Sequence, residues 1–131
     1  MNPADLFDHD PEPVVLKKGD ALFHEGEQPD CMYVLLEGTA DVLVGDKVVE
    51  SATKGALFGE MALIDSSPRA AKVVATSLCR LAKINQRRFQ FMVQQTPIFA
   101  THVMKVLARR LRQMNLAARD PVGADGISRS G

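Results

Sequence analysis

Turn signals interrupt the chain at short intervals: Gly19-Asp20, then EGEQPD from Glu25 to Asp30, then Glu37-Gly38, Gly45-Asp46 and Lys54-Gly55. Punctuation this dense leaves room only for short strands and predicts an all-β unit. Met32 to Leu36 and Thr39 to Val44 are strand-like, and the second puts Ala40, Val42 and Val44 on one face. GDKVVE supplies a hairpin turn and its return strand, and AKVVA and CRLAKI supply two further short strands.

Near Asn85 the period changes from strand to helix. Asn85 is placed to cap a helix carrying Phe89, Met92 and Val93 on one face. Thr96-Pro97 ends that helix and starts another with proline at its first position. In the second helix Ala100, Met104, Leu107, Leu111, Met114 and Ala118 recur at alternating steps of four and three. Such a stripe serves either as the seam of a two-helix contact with a partner or as core against its own β unit. The tail from 119 to 131 is rich in Gly and Ser and is expected to be disordered. Three parts follow: a short segment over 1–13, a domain over 14–118 with the β unit at about 14–84 and helices at about 86–118, and the tail.

Composition removes whole classes of function. At 131 residues, 46% hydrophobic and 24% charged, the chain has the make-up of one globular domain. Sixteen basic residues balance sixteen acidic ones, so no global field draws it to nucleic acid or to an anionic membrane. The N-terminus lacks the basic start and apolar centre of a signal peptide, and no apolar run nears the roughly 20 residues that cross a bilayer. A cytoplasmic protein with no membrane contact is expected. Cys31 and Cys79 are then expected as two free buried thiols rather than one disulfide, and the scattered His9, His24 and His102 support no metal site.

The stretch LFGEMALIDSSPRAA, from Leu57 to Ala71, carries the chemistry. Gly59 permits a sharp turn or a close approach, and EMALI suits one short helical turn whose first N–H groups lack internal partners. Those donors suit a phosphate, which Arg69, returned by the Pro68 turn, would clamp with charge-assisted hydrogen bonds. Glu60, an acceptor only, suits hydroxyl donors such as those of a ribose. The plainer alternatives are Glu60 as a first-turn helix charge and Arg69 as the ion-pair partner of Asp65.

FGEMALIDSSPRAA resembles the phosphate-binding cassette of cyclic nucleotide-binding domains, and KKGDALFHEGEQPDCMYVLLEGTADVLV is similar to the glycine-punctuated first strands of that family. The resemblance runs from about Val14 to Asn115. It implies a mainly β fold: an eight-stranded, jelly-roll-like β-roll (a double-stranded β-helix) followed by two helices. Carried over by position, Phe58, Gly59, Glu60, Met61, Ala62, Pro68, Arg69, Ala70 and Ala71 would hold the ligand. Glu60 would take the ribose 2'-hydroxyl and Arg69 the cyclic phosphate, assisted by backbone N–H groups near Ala62 and Ala70. Val49, Leu57 and Val73 would form an apolar wall. Ala70 implies cAMP, since threonine there goes with cGMP in kinase-type members. Two departures are visible. ADLF is the only apolar trace of the family's N-terminal helix, so that element is either minimal or supplied by another chain, and the aromatic that caps the purine is not identifiable, which leaves Arg112, Met114 or Asn115 for the base.

The function expected from the resemblance is a stand-alone sensor: cAMP binds, the last helix moves, and an unidentified protein effector reads the change. No cofactor is needed and no chemistry is done on the ligand, since no nucleophile–base pair, carboxylate pair or metal cluster can be assembled. The alternatives are the ligand-binding part of a transcription regulator and a nucleotide-independent dimerisation module. ARRLRQ, from Ala108 to Gln113, is basic but suits a solvated helix face, so DNA binding by this chain is not expected.

Overall fold

The computed structural model describes residues 2–7, 10, 12–65 and 67–118. The tail expected to be disordered therefore lies outside the described residues. Eight strands are present among those described: β1 (Val14–Leu16), β2 (Ala21–Phe23), β3 (Cys31–Glu37), β4 (Ala40–Val44), β5 (Lys47–Ala52), β6 (Leu57–Phe58), β7 (Lys72–Ala75) and β8 (Cys79–Asn85). They form two four-stranded antiparallel sheets, ordered β1-β8-β3-β6 and β2-β7-β4-β5. This is the expected β-roll. A 3-10 turn (Pro3–Phe7) precedes it, helix α1 (Glu60–Asp65) interrupts it, and α2 (Gln86–Gln95) and α3 (Pro97–Ala118) follow.

Strand alternation builds two cores from one sheet. Met32, Val34 and Leu36 of β3, with Ala82 and Ile84 of β8, point toward the helices and meet Phe89, Phe99, Val103 and Val106. From the other face of the same strands, Leu35 and Leu81 join Phe23, Ala40, Ala52, Phe58 and Val73 inside the roll. β4 and β5 close as a hairpin at Gly45-Asp46, where Gly45 takes φ 63°.

The helix boundaries follow local chemistry. The Asn85 side chain accepts from the Arg88 N–H at 2.8 Å, which caps α2, and the Thr96 N–H donates to the Met92 carbonyl at 2.8 Å before Pro97 opens α3. On α2, Phe89 is buried and Met92 packs against the core, but Val93 is exposed and leaves the expected face. The N-terminal element is short but anchored. Ala4 and Phe7 are buried, Phe7 meets Phe99 edge-on at 6.1 Å, and Arg88 pairs with Asp10 at 2.9 Å while lying over the Phe7 ring. Cys31 and Cys79 are free and buried. Among the described residues, no helix is long and apolar enough to cross a membrane.

Candidate functional site

The connection from β6 to β7 forms the site. Leu57 and Phe58 alternate, so Phe58 enters the roll interior while Leu57 enters the helix-facing core. The wall expected to include Leu57 therefore loses it, and Val49 is exposed on β5; Val73 does line the interior. Gly59 has φ 78°, and a Cβ there would strike the Arg69 guanidinium. Arg69 itself is the group whose close approach requires the glycine. Within α1, Met61 is exposed and Leu63 is buried, and the Leu63 carbonyl accepts from the Gln86 side chain at 3.2 Å. The Ala62 and Asp65 side chains lie outside those described. Pro68 and Ala70 are exposed and Ala71 is half-buried.

Arg69 is 7% exposed. Its backbone is bracketed by the β2–β3 loop: the Gly26 N–H donates to the Arg69 carbonyl at 2.8 Å, and the Arg69 N–H donates to the Glu27 carbonyl at 2.9 Å. The guanidinium donates to the Cys31 carbonyl at 2.8 Å and, at a long 3.4 Å, to the Gly59 carbonyl. It lies 4.2 Å from the centroid of the Phe23 ring. These neighbours hold the group still without neutralising it. Among the described side chains Arg69 has no carboxylate partner, and the alternative pairing with Asp65 falls on a side chain outside them.

Glu60, the first residue of α1, is 1% exposed. Its Oε2 accepts from Arg110 of α3, while its Oε1 is buried with no hydrogen-bond partner among the described residues. Arg110 also donates to the Leu57 carbonyl at 2.9 Å and lies 3.4 Å from the Glu50 carboxylate of β5. Burial works against the Arg110 charge, but the Glu60 and Glu50 carboxylates outweigh it and raise its pKa above the ordinary arginine value. One arginine thus joins the last helix, the cassette and the edge of the second sheet.

Sequence reasoning did not single out Arg110, because three arginines in ARRLRQ suggest a solvated face. The signal was present in the spacing: Phe99, Val103, Val106 and Arg110 follow steps of four, three and four, and the first three are core. Of the residues expected at the base, Arg112 and Asn115 are exposed, and the Met114 side chain lies outside those described. Phe99, fully buried between Phe7 and Phe89, is a core residue.

A buried guanidinium and a buried carboxylate flank Gly59 without pairing with each other, in the connection between the two sheets. That arrangement leaves Arg69 without a described carboxylate partner and Glu60 with one oxygen free of a described donor. The family described as cyclic nucleotide-binding domain matches residues 13–96, and the chain belongs to it. The cAMP-activated global transcriptional regulator CRP of Pasteurella multocida is 34% identical over 113 residues, 78% of this chain and 54% of the regulator. A cAMP-dependent protein kinase regulatory subunit of Hypocrea atroviridis is 42% identical over 72 residues, 55% of this chain and 16% of that subunit. The Thermus thermophilus catabolite activator protein superposes with a TM-score of 0.72 at 25% identity, over 82% of this chain and 53% of that one. The chain spans about half the length, or less, of these relatives.

Proposed function

We propose that this cyclic nucleotide-binding domain takes cAMP as a sensor module, does no chemistry on it, needs no cofactor, and signals through α3 to a protein effector in the cytoplasm. The observation that carries the reading is the unpaired juxtaposition at Gly59. Arg69 is a buried cation without a described carboxylate, and Glu60 beside it keeps a buried acceptor oxygen without a donor. A cyclic phosphate satisfies the first and a ribose 2'-hydroxyl the second. Ala70, in the position expected to separate cAMP from cGMP, favours cAMP.

Calorimetric titration with cAMP and cGMP tests the reading. Wild type binds cAMP more tightly. Arg69→Ala weakens it by roughly 10- to 150-fold, because a hydrogen bond to a charged group contributes about 1.5–3 kcal/mol. A folded wild type that binds neither nucleotide overturns the reading in favour of an assembly module. For Glu60 the comparison is cAMP against its 2'-deoxy analogue: wild type discriminates and Glu60→Ala does not.

The output rests on Arg110. The carboxylate assigned to the ribose is also the one that grips α3, so ligand at Glu60 alters the contact holding the helix. Closure of α3 would bring Arg112, Met114 and Asn115 toward the base, and hydrogen exchange over 107–118 then slows with cAMP. A second reading, the ligand-binding part of a CRP-like transcription regulator, draws on the 54% coverage of the Pasteurella regulator. On that reading too, this chain binds no DNA itself.

A further inference from the structure

A crevice of about 510 Å³ lies between α3, the β5–β6 connection and the N-terminal segment, and none of Gly59, Glu60 and Arg69 lines it. Its walls are fixed. The Asn2 side-chain amide donates to the Lys54 carbonyl at 3.2 Å, the Asn2 Oδ1 accepts from the Ala4 N–H at 2.9 Å, and a Cβ on Gly55 would strike the Asn2 side chain. The N-terminal segment is thereby fastened to the connection after β5, while Val106 of α3, buried in the helix-facing core, supplies apolar lining. The crevice is preformed and falls within the range of about 300–1,000 Å³ that small-molecule sites occupy.

Lys54, His102 and Arg109 line this space, and the acids beside it are already matched. Glu50 lies 3.4 Å from Arg110, and Asp5 lies 3.6 Å from Lys54. Among the described residues the Arg109 side chain has no carboxylate partner and no hydrogen bond. His102 registers the excess of positive charge: burial first, then Arg109 and Lys105, lower its pKa from 6.5. His102 and Arg109 are two turns apart on one face of α3, and the lean of helical side chains toward the N-terminus carries Arg109 toward His102.

We infer that the crevice is a second ligand site, for a small phosphomonoester whose phosphate sits between Arg109 and His102. A phosphomonoester carries about −1.5 to −2 charge at pH 7 and three strong acceptor oxygens. Arg109 meets the first charge. His102 takes up a proton from solvent to meet the second, because an anion beside it favours the imidazolium. Thr53 and Gln113, also in the lining, add neutral donors for the remaining oxygens. A singly charged phosphodiester, the cyclic phosphate included, satisfies Arg109 and leaves His102 neutral, so the crevice and the cassette select different phosphates. The site needs no nucleotide at Glu60 and Arg69.

The test titrates the whole chain with glycerol 3-phosphate, following heat by calorimetry and the His102 ring by NMR. Wild type is compared with Arg109→Ala, His102→Gln and Arg69→Ala, with thermal melts to establish folding, and dimethyl phosphate at equal ionic strength is the singly charged control. Wild type binds glycerol 3-phosphate and its His102 pKa rises on binding. Arg109→Ala weakens the affinity by roughly tenfold, the lower end for a hydrogen bond to a charged group because Arg109 is exposed. His102→Gln loses the responding ring signal and binds more weakly, whereas Arg69→Ala keeps both the affinity and the His102 response. A folded wild type that does not bind glycerol 3-phosphate overturns the inference. Binding lost in Arg69→Ala and kept in Arg109→Ala places the anion in the cassette and overturns it as well. A His102 pKa that moves as far with dimethyl phosphate reports general screening, and the crevice is then no phosphomonoester site.

Discussion

At the scale of the residue, Gly59 is where backbone and site chemistry coincide. Its φ of 78° is costly for any side chain, by about 1–2 kcal/mol, and its Cβ position is taken by Arg69. Gly45 shares the positive φ, at 63°, but has nothing within 4 Å of a Cβ. The pair makes a controlled comparison. Gly45→Ala loses only the backbone term in chemical denaturation and keeps its ligand affinity, whereas Gly59→Ala loses more stability and, by displacing Arg69, most of its affinity for cAMP. Gly59, Glu60 and Arg69 stand out in the sequence because a glycine and two charges interrupt an apolar run, and the structure buries both charges beside that positive-φ glycine. Arg110 does not, because a charged residue on a basic helix looks the same whether it faces water or a buried carboxylate. Glu50 was hidden for a related reason, since one acid in an edge strand resembles a device against edge pairing.

At the scale of the element, α3 has two faces with the same period. Phe99, Val103 and Val106 enter the core, while Met104 and Leu111 of the neighbouring stripe are 60% and 58% exposed and Ala100 and Leu107 are half-buried. Sequence periodicity finds both stripes but does not say which one the chain's own sheet covers, since steps of four and three recur in each. The exposed stripe suits a second copy of the helix. Leu111→Glu then splits a dimer in sedimentation while the roll stays folded, and a wild-type monomer at micromolar concentration, with and without cAMP, would sink the dimer. His102 gives the same helix a pH dependence. Burial, then Arg109 and Lys105 on its own helix, lower its pKa from 6.5. Lys54 and Glu50 line the same crevice of about 510 Å³. Because the folded pKa lies below the unfolded one, the stability is complete above about pH 6.5 and falls as the pH drops toward the lowered value. His102→Gln flattens that part of the profile in denaturant titrations at stepped pH.

At the scale of the molecule, one sheet shared by two cores explains why β3 is apolar almost throughout. CMYVLLE shows no clean alternation because both faces are covered, one by helices and one by the roll. The strand was therefore legible and its sidedness was not. The N-terminal turn was likewise visible only as an apolar trace, since its anchoring depends on Phe99 from the far end of the chain. Phe99→Ala removes the ring between Phe7 and Phe89, at a cost of about 3–5 kcal/mol, a large fraction of the roughly 5–15 kcal/mol that stabilises an ordinary domain. A fall in the denaturation midpoint with unchanged cAMP stoichiometry checks it. The Arg110 bridge has a wider meaning at this scale. Glu60 holds the helix with one oxygen and has no described partner for the other; if a nucleotide takes that oxygen as proposed, the position of α3 and the occupancy of the roll become terms in a single free-energy cycle. Linkage makes the cycle symmetric: whatever partner grips α3 and changes the affinity for nucleotide by some factor has its own affinity changed by nucleotide by the same factor. On that proposal a partner of α3 is measurable from the ligand side, as a shift in nucleotide affinity, with no assay of what the partner does.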